Sequence, residues 1–177
     1  TQLFFEVLAE NGLSEIAYTA MNKHSFPSFG HWIAQGATTT WEQWDGSNSR
    51  NHPMFGGALT WYYRKLAGMH ADEERPGYKH IIIRPVIPDS ISYASYATRT
   101  PYGDASVSWK RGDGRFYLES VVPVGSTASI YIPCSSASDM NESGVLIQDA
   151  KGVTDKGWKE GYRQLEVVSG TYRFVVD

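Results

Sequence analysis

The sequence predicts an α+β chain, a helical piece followed by an antiparallel β-sandwich. Three observations predict it. Up to about residue 70, apolar side chains recur at helical spacing. Beyond Gly77, short β-rich runs follow one another at regular intervals. Glycine- and proline-bearing turns separate those runs, with no helical pattern between them.

The elements follow in order. Leu3, Phe4, Val7 and Leu8 make the apolar stripe of a first helix that already includes Thr1, and Gly12 offers the left-handed stop. Ile16, Ala17, Ala20 and Met21 carry a second helix, with Ser14 placed to cap it. The pair reads as a helical hairpin with a short connection. Residues 24–51 contain Pro27, Gly30, Gly36 and Gly46 and predict a long loop. Its five Trp and Phe residues argue against disorder. A third helix opens at Pro53, with Phe55, Ala58, Leu59, Tyr62 and Leu66 on one stripe and Trp61 packing beside it, and stops at Gly68. Strands are predicted at 80–84, 93–98, 105–110, 115–122, 126–133, 145–148, 164–168 and 171–176. Arg111-Gly112-Asp113-Gly114 and Ser169-Gly170 are the tight turns.

Bulk properties exclude several classes of function. A chain of 177 residues can bury a core as one domain or two small ones. A net charge of −3, with no clustered basic patch, excludes nucleic acid and anionic membrane surfaces as partners. No apolar run is long enough to span a bilayer. Cys134 is the single cysteine, so no intrachain disulfide forms and the redox compartment stays open. His24 and His31 lack Glu or Cys at ligand spacing, His80 reads as packing, and no phosphate loop occurs, so no metal or cofactor is expected. The chain lacks a start methionine and reads as a piece of a longer polypeptide. The absence of a targeting segment therefore says nothing of the parent.

The chemistry concentrates between Thr38 and His52. Two carboxylates (Glu42, Asp45), two indoles (Trp41, Trp44) and an imidazole (His52) fall within fifteen residues. Carboxylates move protons, and indole faces cover the C–H faces of a sugar. Each residue also has a plainer meaning. Thr39-x-x-Glu42 fits a helix capping box, the commoner meaning of that spacing. Asp45-Gly46 fits a turn. His52 before Pro53 fits a helix-capping or packing histidine, and Trp32, Trp41 and Trp44 fit a core.

Gly36-Ala37-Thr38-Thr39-Thr40-Trp41-Glu42-Gln43-Trp44-Asp45-Gly46, followed by Asn51-His52 and Phe55-Gly56-Gly57, resembles bacterial α-L-rhamnosidases of glycoside hydrolase family 78. The resemblance continues through Pro76–Pro85, Thr100-Pro101-Tyr102-Gly103 and Ser169–Phe174, in shared order over nearly the whole chain. It implies that residues 1–70 are the last helices and active-site loop of an (α/α)6 catalytic barrel, and that residues 71–177 are the C-terminal β-sandwich. It further implies that Glu42 is the general base of an inverting hydrolysis that removes terminal α-L-rhamnose. His52 and Trp41 would contact the sugar, with Trp44 and Asp45 beside them. The segment between Gly46 and Asn51 is shorter than in many relatives, which bears on the aglycone accepted. The general acid would come from upstream in the same polypeptide, so the isolated chain is expected to be inactive. Its exposed helix face is expected to seek a partner or self-associate. A periplasmic or secreted bacterial location is the corresponding expectation. Two alternatives stay open: a non-catalytic carbohydrate-binding β-sandwich module, and a barrel glycosidase for a different sugar.

Overall fold

The computed structural model describes residues 3–177. The chain forms two compact units, Thr1–Lys65 with Val86–Ser90, and Leu66–Pro85 with Ile91–Asp177.

The first unit holds α1 (Phe4–Glu10), α2 (Ser14–Met21), α3 (Phe29–Ala34) and α4 (Gly57–Trp61). A 3-10 turn, Pro53–Gly56, leads into α4, and a π-helical turn, Tyr62–Leu66, follows it. The α1–α2 hairpin forms as predicted, but with a different inner face. Phe5 and Ala9 are buried, while Leu3, Phe4 and Val7 are exposed. The reason is the partner side chain: Phe5 packs 6.1 Å from the fully buried Trp61 ring, and that contact sets the rotation of α1. Ser14 does not cap α2. It is the first helical residue, Leu13 holds the cap position, and the buried Ser14 hydroxyl has no hydrogen-bond partner among the described residues. The expectation that the first helix includes Thr1 lies outside the described residues.

Residues 24–51 are not all loop. Ser28 accepts a hydrogen bond from the His31 N–H at 2.9 Å and opens α3, a six-residue helix that carries the buried Trp32. The side-chain cap supports a helix too short to be stable by itself. The third predicted helix is real, but its last turn widens to π geometry, and Leu59 of the predicted stripe is exposed.

The second unit is two sheets. One runs β1 (Met69–Ala71), β2 (His80–Ile83), β6 (Thr127–Pro133), β10 (Tyr162–Val167), β9 (Val153–Lys159). The other runs β3 (Tyr93–Thr100), β4 (Gly103–Gly112), β5 (Arg115–Val122), β11 (Gly170–Val176), β7 (Met140–Glu142), β8 (Val145–Leu146). Side chains alternate in and out along β4 and β11, which buries Val107, Trp109, Phe174 and Val176 and leaves Lys110 and Arg173 exposed. From the other sheet Ile81, Ile83, Ile130, Ile132 and Leu165 are fully buried. Among the described residues the pairings are antiparallel except β2 with β6, which is parallel in the register His80 to Thr127. The expected antiparallel sandwich forms around this one parallel pair: the chain leaves β2 and returns to its side only after building the β3–β4–β5 meander. The mixed α+β class holds.

Candidate active-site loop

The loop that carries Glu42 is anchored by aromatic packing. Trp32, Trp41 and Phe55 form a buried cluster, with Phe29, Ala37 and Trp44 packed against it. Trp44 lies 4.4 Å from Trp32 and 4.3 Å from Phe55 by ring centroids. The Trp32 indole N–H donates to the Trp44 carbonyl at 2.9 Å. A buried indole needs such an acceptor, and this one ties α3 to the middle of the loop.

The two ends of the loop are laced together. Thr39 Oγ1 donates to the Arg50 carbonyl, and Thr40 Oγ1 donates to the His52 carbonyl at 2.6 Å. The His52 N–H donates to the Thr40 carbonyl, and the Glu42 N–H to the Ser49 carbonyl, both at 2.8 Å. The Ser49 N–H in turn donates to Glu42 Oε2 at 3.1 Å. Residues 39–42 and 49–52 are therefore a short clasp that sets Glu42 and His52 on adjoining segments.

The plainer meaning of Glu42 does not hold. No helix begins at Thr39, whose hydroxyl is spent across the clasp. The Glu42 carboxylate, half-buried, bonds seven residues ahead rather than back to Thr39. Its Oε1 has no hydrogen-bond partner among the described residues. For Asp45 the turn meaning describes the geometry. Its Oδ1 accepts from the Ser47 N–H at 3.0 Å and the Ser47 hydroxyl at 2.7 Å. Those two hydrogen bonds hold its carboxyl below the ordinary carboxylate range. His52 caps the Pro53–Gly56 turn, its Nδ1 accepting from the Met54 N–H at 3.2 Å. That bond assigns the proton of a neutral ring to Nε2, which is left to donate elsewhere.

Trp41 is 6% exposed, so most of its surface lies in the core. Trp44 is half-buried and lines a cavity of about 280 Å³ with Phe4, Phe29 and Phe55; Glu42 and His52 are not on that wall. The clasp thus sets Glu42 and His52 on adjoining segments and leaves Asp45 in the turn between them, while both indoles pack into the aromatic cluster. Sequence reasoning missed Thr40, Ser49 and Arg50, because their roles run through backbone groups that no spacing rule displays. Among the described residues, no group of three His, Cys, Asp or Glu side chains could hold a metal ion.

Comparison with known proteins adds the family. Residues 1–66 match the bacterial alpha-L-rhamnosidase six-hairpin glycosidase domain, and residues 68–146 match the bacterial alpha-L-rhamnosidase C-terminal domain. An alpha-L-rhamnosidase of Streptomyces avermitilis is 30% identical over 99% of this chain, and one of Formosa agariphila is 32% identical over 98%. The chain spans only 17% and 20% of the length of those two relatives. Among solved structures, alpha-L-rhamnosidase from Dictyoglumus thermophilum superposes with a TM-score of 0.87 at 33% identity, over 99% of this chain and 20% of that one. The S. avermitilis enzyme complexed with L-rhamnose also gives 0.87, at 30% identity, over 100% and 17%. With both of its parts matched in family order, the chain belongs to the bacterial alpha-L-rhamnosidase family.

Proposed function

We propose that this chain supplies the general base of an inverting glycoside hydrolase that removes terminal α-L-rhamnose from glycosides or polysaccharides. The supporting observation is the Glu42 carboxylate, pinned through one oxygen by the Ser49 N–H and, among the described residues, without a hydrogen-bond partner at the other. An ionised carboxylate accepts hydrogen bonds and donates none, so an N–H donor at one oxygen fixes its direction and leaves the lone pairs of the other for a water. Oε1 takes a proton from a water as that water attacks the anomeric carbon. The water needs room, which sets base and acid roughly 6.5–9.5 Å apart. His52 donates from Nε2 to a sugar hydroxyl. Trp44 offers ring surface to the sugar, Trp41 contributes an edge, and Asp45 shapes the loop tip beside them.

The acid that protonates the leaving oxygen comes from outside this chain, in the upstream part of the same polypeptide. Residues 1–70 are the closing helices of the catalytic barrel, and residues 71–177 are the C-terminal sandwich. The 177-residue chain alone is expected not to hydrolyse p-nitrophenyl α-L-rhamnoside. In the enzyme that carries it, Glu42→Gln is expected to lower kcat about 10²–10⁴-fold with KM little changed, as for loss of a general base. Robust turnover by the chain alone, or a kcat within a few-fold of wild type for the variant, would remove this assignment. The exposed Leu3, Phe4 and Val7 would pack against preceding barrel helices; in the isolated chain they favour self-association, which sedimentation at several concentrations measures.

A further inference from the structure

We propose that Arg50 is a positioning residue for Glu42, acting through Trp41; the inference rests on Glu42 being the base. The Trp41 indole is enclosed by its own loop. On one side lies Trp32, with ring centroids 5.7 Å apart. The turn at Gln43–Gly46, closed by the Gly46 N–H to the Gln43 carbonyl at 3.1 Å, folds the Gly46 backbone against the same ring. A Cβ at Gly46 would come within 2.7 Å of the indole, so the fit admits glycine alone. The Arg50 guanidinium stacks over the ring with its Cζ 4.8 Å from the centroid, and its Nε donates to the Gly46 carbonyl at 3.2 Å.

Arg50 thereby joins the ring to the turn, stacking on the one and bonding to the other. Glu42 follows Trp41 directly, and its carboxylate is held by the Ser49 N–H, the residue before Arg50. Moving Arg50 therefore moves the two points that orient the base. The main business of Trp41 is to be the hub of this loop, consistent with its burial. Lys at position 50 would keep a cation over the ring but lose the bond to Gly46.

Three variants test this in the enzyme that carries the chain. Arg50→Ala is expected to lower kcat about 10- to 100-fold while KM changes less than about twofold, the signature of a misplaced group rather than lost binding. Arg50→Lys is expected to recover part of that loss. In the 177-residue chain, hydrogen exchange at the Ser49 and Glu42 amides is expected to quicken in Arg50→Ala, with thermal unfolding unchanged. Unchanged kcat, equal losses in Ala and Lys, or unchanged exchange would each overturn the proposal. Should Arg50→Ala lower the unfolding temperature, the Lys variant decides: wild-type kcat with wild-type exchange at the Ser49 amide would reject a need for the Gly46 bond. Glu42→Gln run in parallel separates the premise from the inference. Retained turnover there would sink the base assignment, and the exchange rates would still report whether Arg50 orders the loop.

Discussion

Outside the candidate active-site loop, His80 combines deep burial with polar partners on both sides of its ring. It is 1% exposed, yet both ring nitrogens are partnered, Nδ1 with the Thr127 hydroxyl at 2.6 Å and Nε2 with the Ser129 hydroxyl at 2.8 Å. The Ser129 hydroxyl donates a hydrogen bond to Glu166 Oε1 at 2.6 Å. Burial pushes the imidazole below its ordinary value, aided by Arg75 and opposed by Glu166 and Asp72. A histidine harder to protonate when folded makes the unfolded chain bind more protons in the interval between the two pKa values. Stability is thus complete above about 6.5 and falls as pH drops from there toward the depressed folded value. Urea midpoints are expected to decline across that window, and the decline is expected to shrink in His80→Gln. At pH 7.5, His80→Leu is expected to cost about 1–3 kcal/mol through the Thr127 hydroxyl that loses its ring partner, Ser129 keeping Glu166.

Elements show where tertiary packing overrides local preference. Trp109, in β4, is 2% exposed and donates its indole N–H to the Leu66 carbonyl at 2.8 Å, at the end of the π turn. That carbonyl stands where a helix end leaves its acceptors unpaired. Trp109→Phe is expected to destabilise the chain by about 1–3 kcal/mol, measured by denaturant unfolding, through a buried acceptor left without a donor. Two residues on, Gly68 turns the chain with φ +86°, and a Cβ there would fall 2.3 Å from the Pro85 nitrogen. Gly68→Ala is expected to lower the unfolding temperature more than any surface substitution, since backbone meets backbone and neither can yield. Strands β4 and β5 were legible because they flank the Arg111-Gly112-Asp113-Gly114 turn, and β3 as a run of small and polar residues. β9 was missed because it is an edge strand with mostly exposed side chains, and β1 and β7 because three residues carry no period. α3 was missed because Gly30 and Pro27 read as loop punctuation, whereas Ser28 and Trp32 make a helix of it.

At the scale of the whole molecule, charge and burial divide the tasks. Charged side chains pair at the surface, as Arg99 with Asp104 and Arg173 with Glu119, and each exposed pair is worth little by itself. Cohesion comes from the two apolar cores. The second unit buries its own aliphatic and aromatic set and makes its own sheets, so a piece comprising residues 66–177 is expected to retain β-sheet circular dichroism and a cooperative thermal transition. A non-cooperative melt would show that this core is insufficient by itself.

Hydrophobic period and turn chemistry, both local properties, determined the α+β class, the helical hairpin, the main strands and the Arg111–Gly114 turn. The motif order carried the family resemblance, and with it the candidates Glu42 and His52. Only the tertiary structure decided what the carboxylates do. Thr39-x-x-Glu42 and Asp45-Gly46 are equally ordinary as spacings, yet one carboxylate is turned across a clasp to the Ser49 N–H and the other is spent on Ser47. It also turned α1 onto Phe5, paired β2 in parallel with β6, and buried His80 among hydroxyls. The physical reason is common to all four. Hydrogen-bond and packing partners distant in sequence compete with local preference, and a buried polar or apolar group takes whichever partner the fold brings within reach.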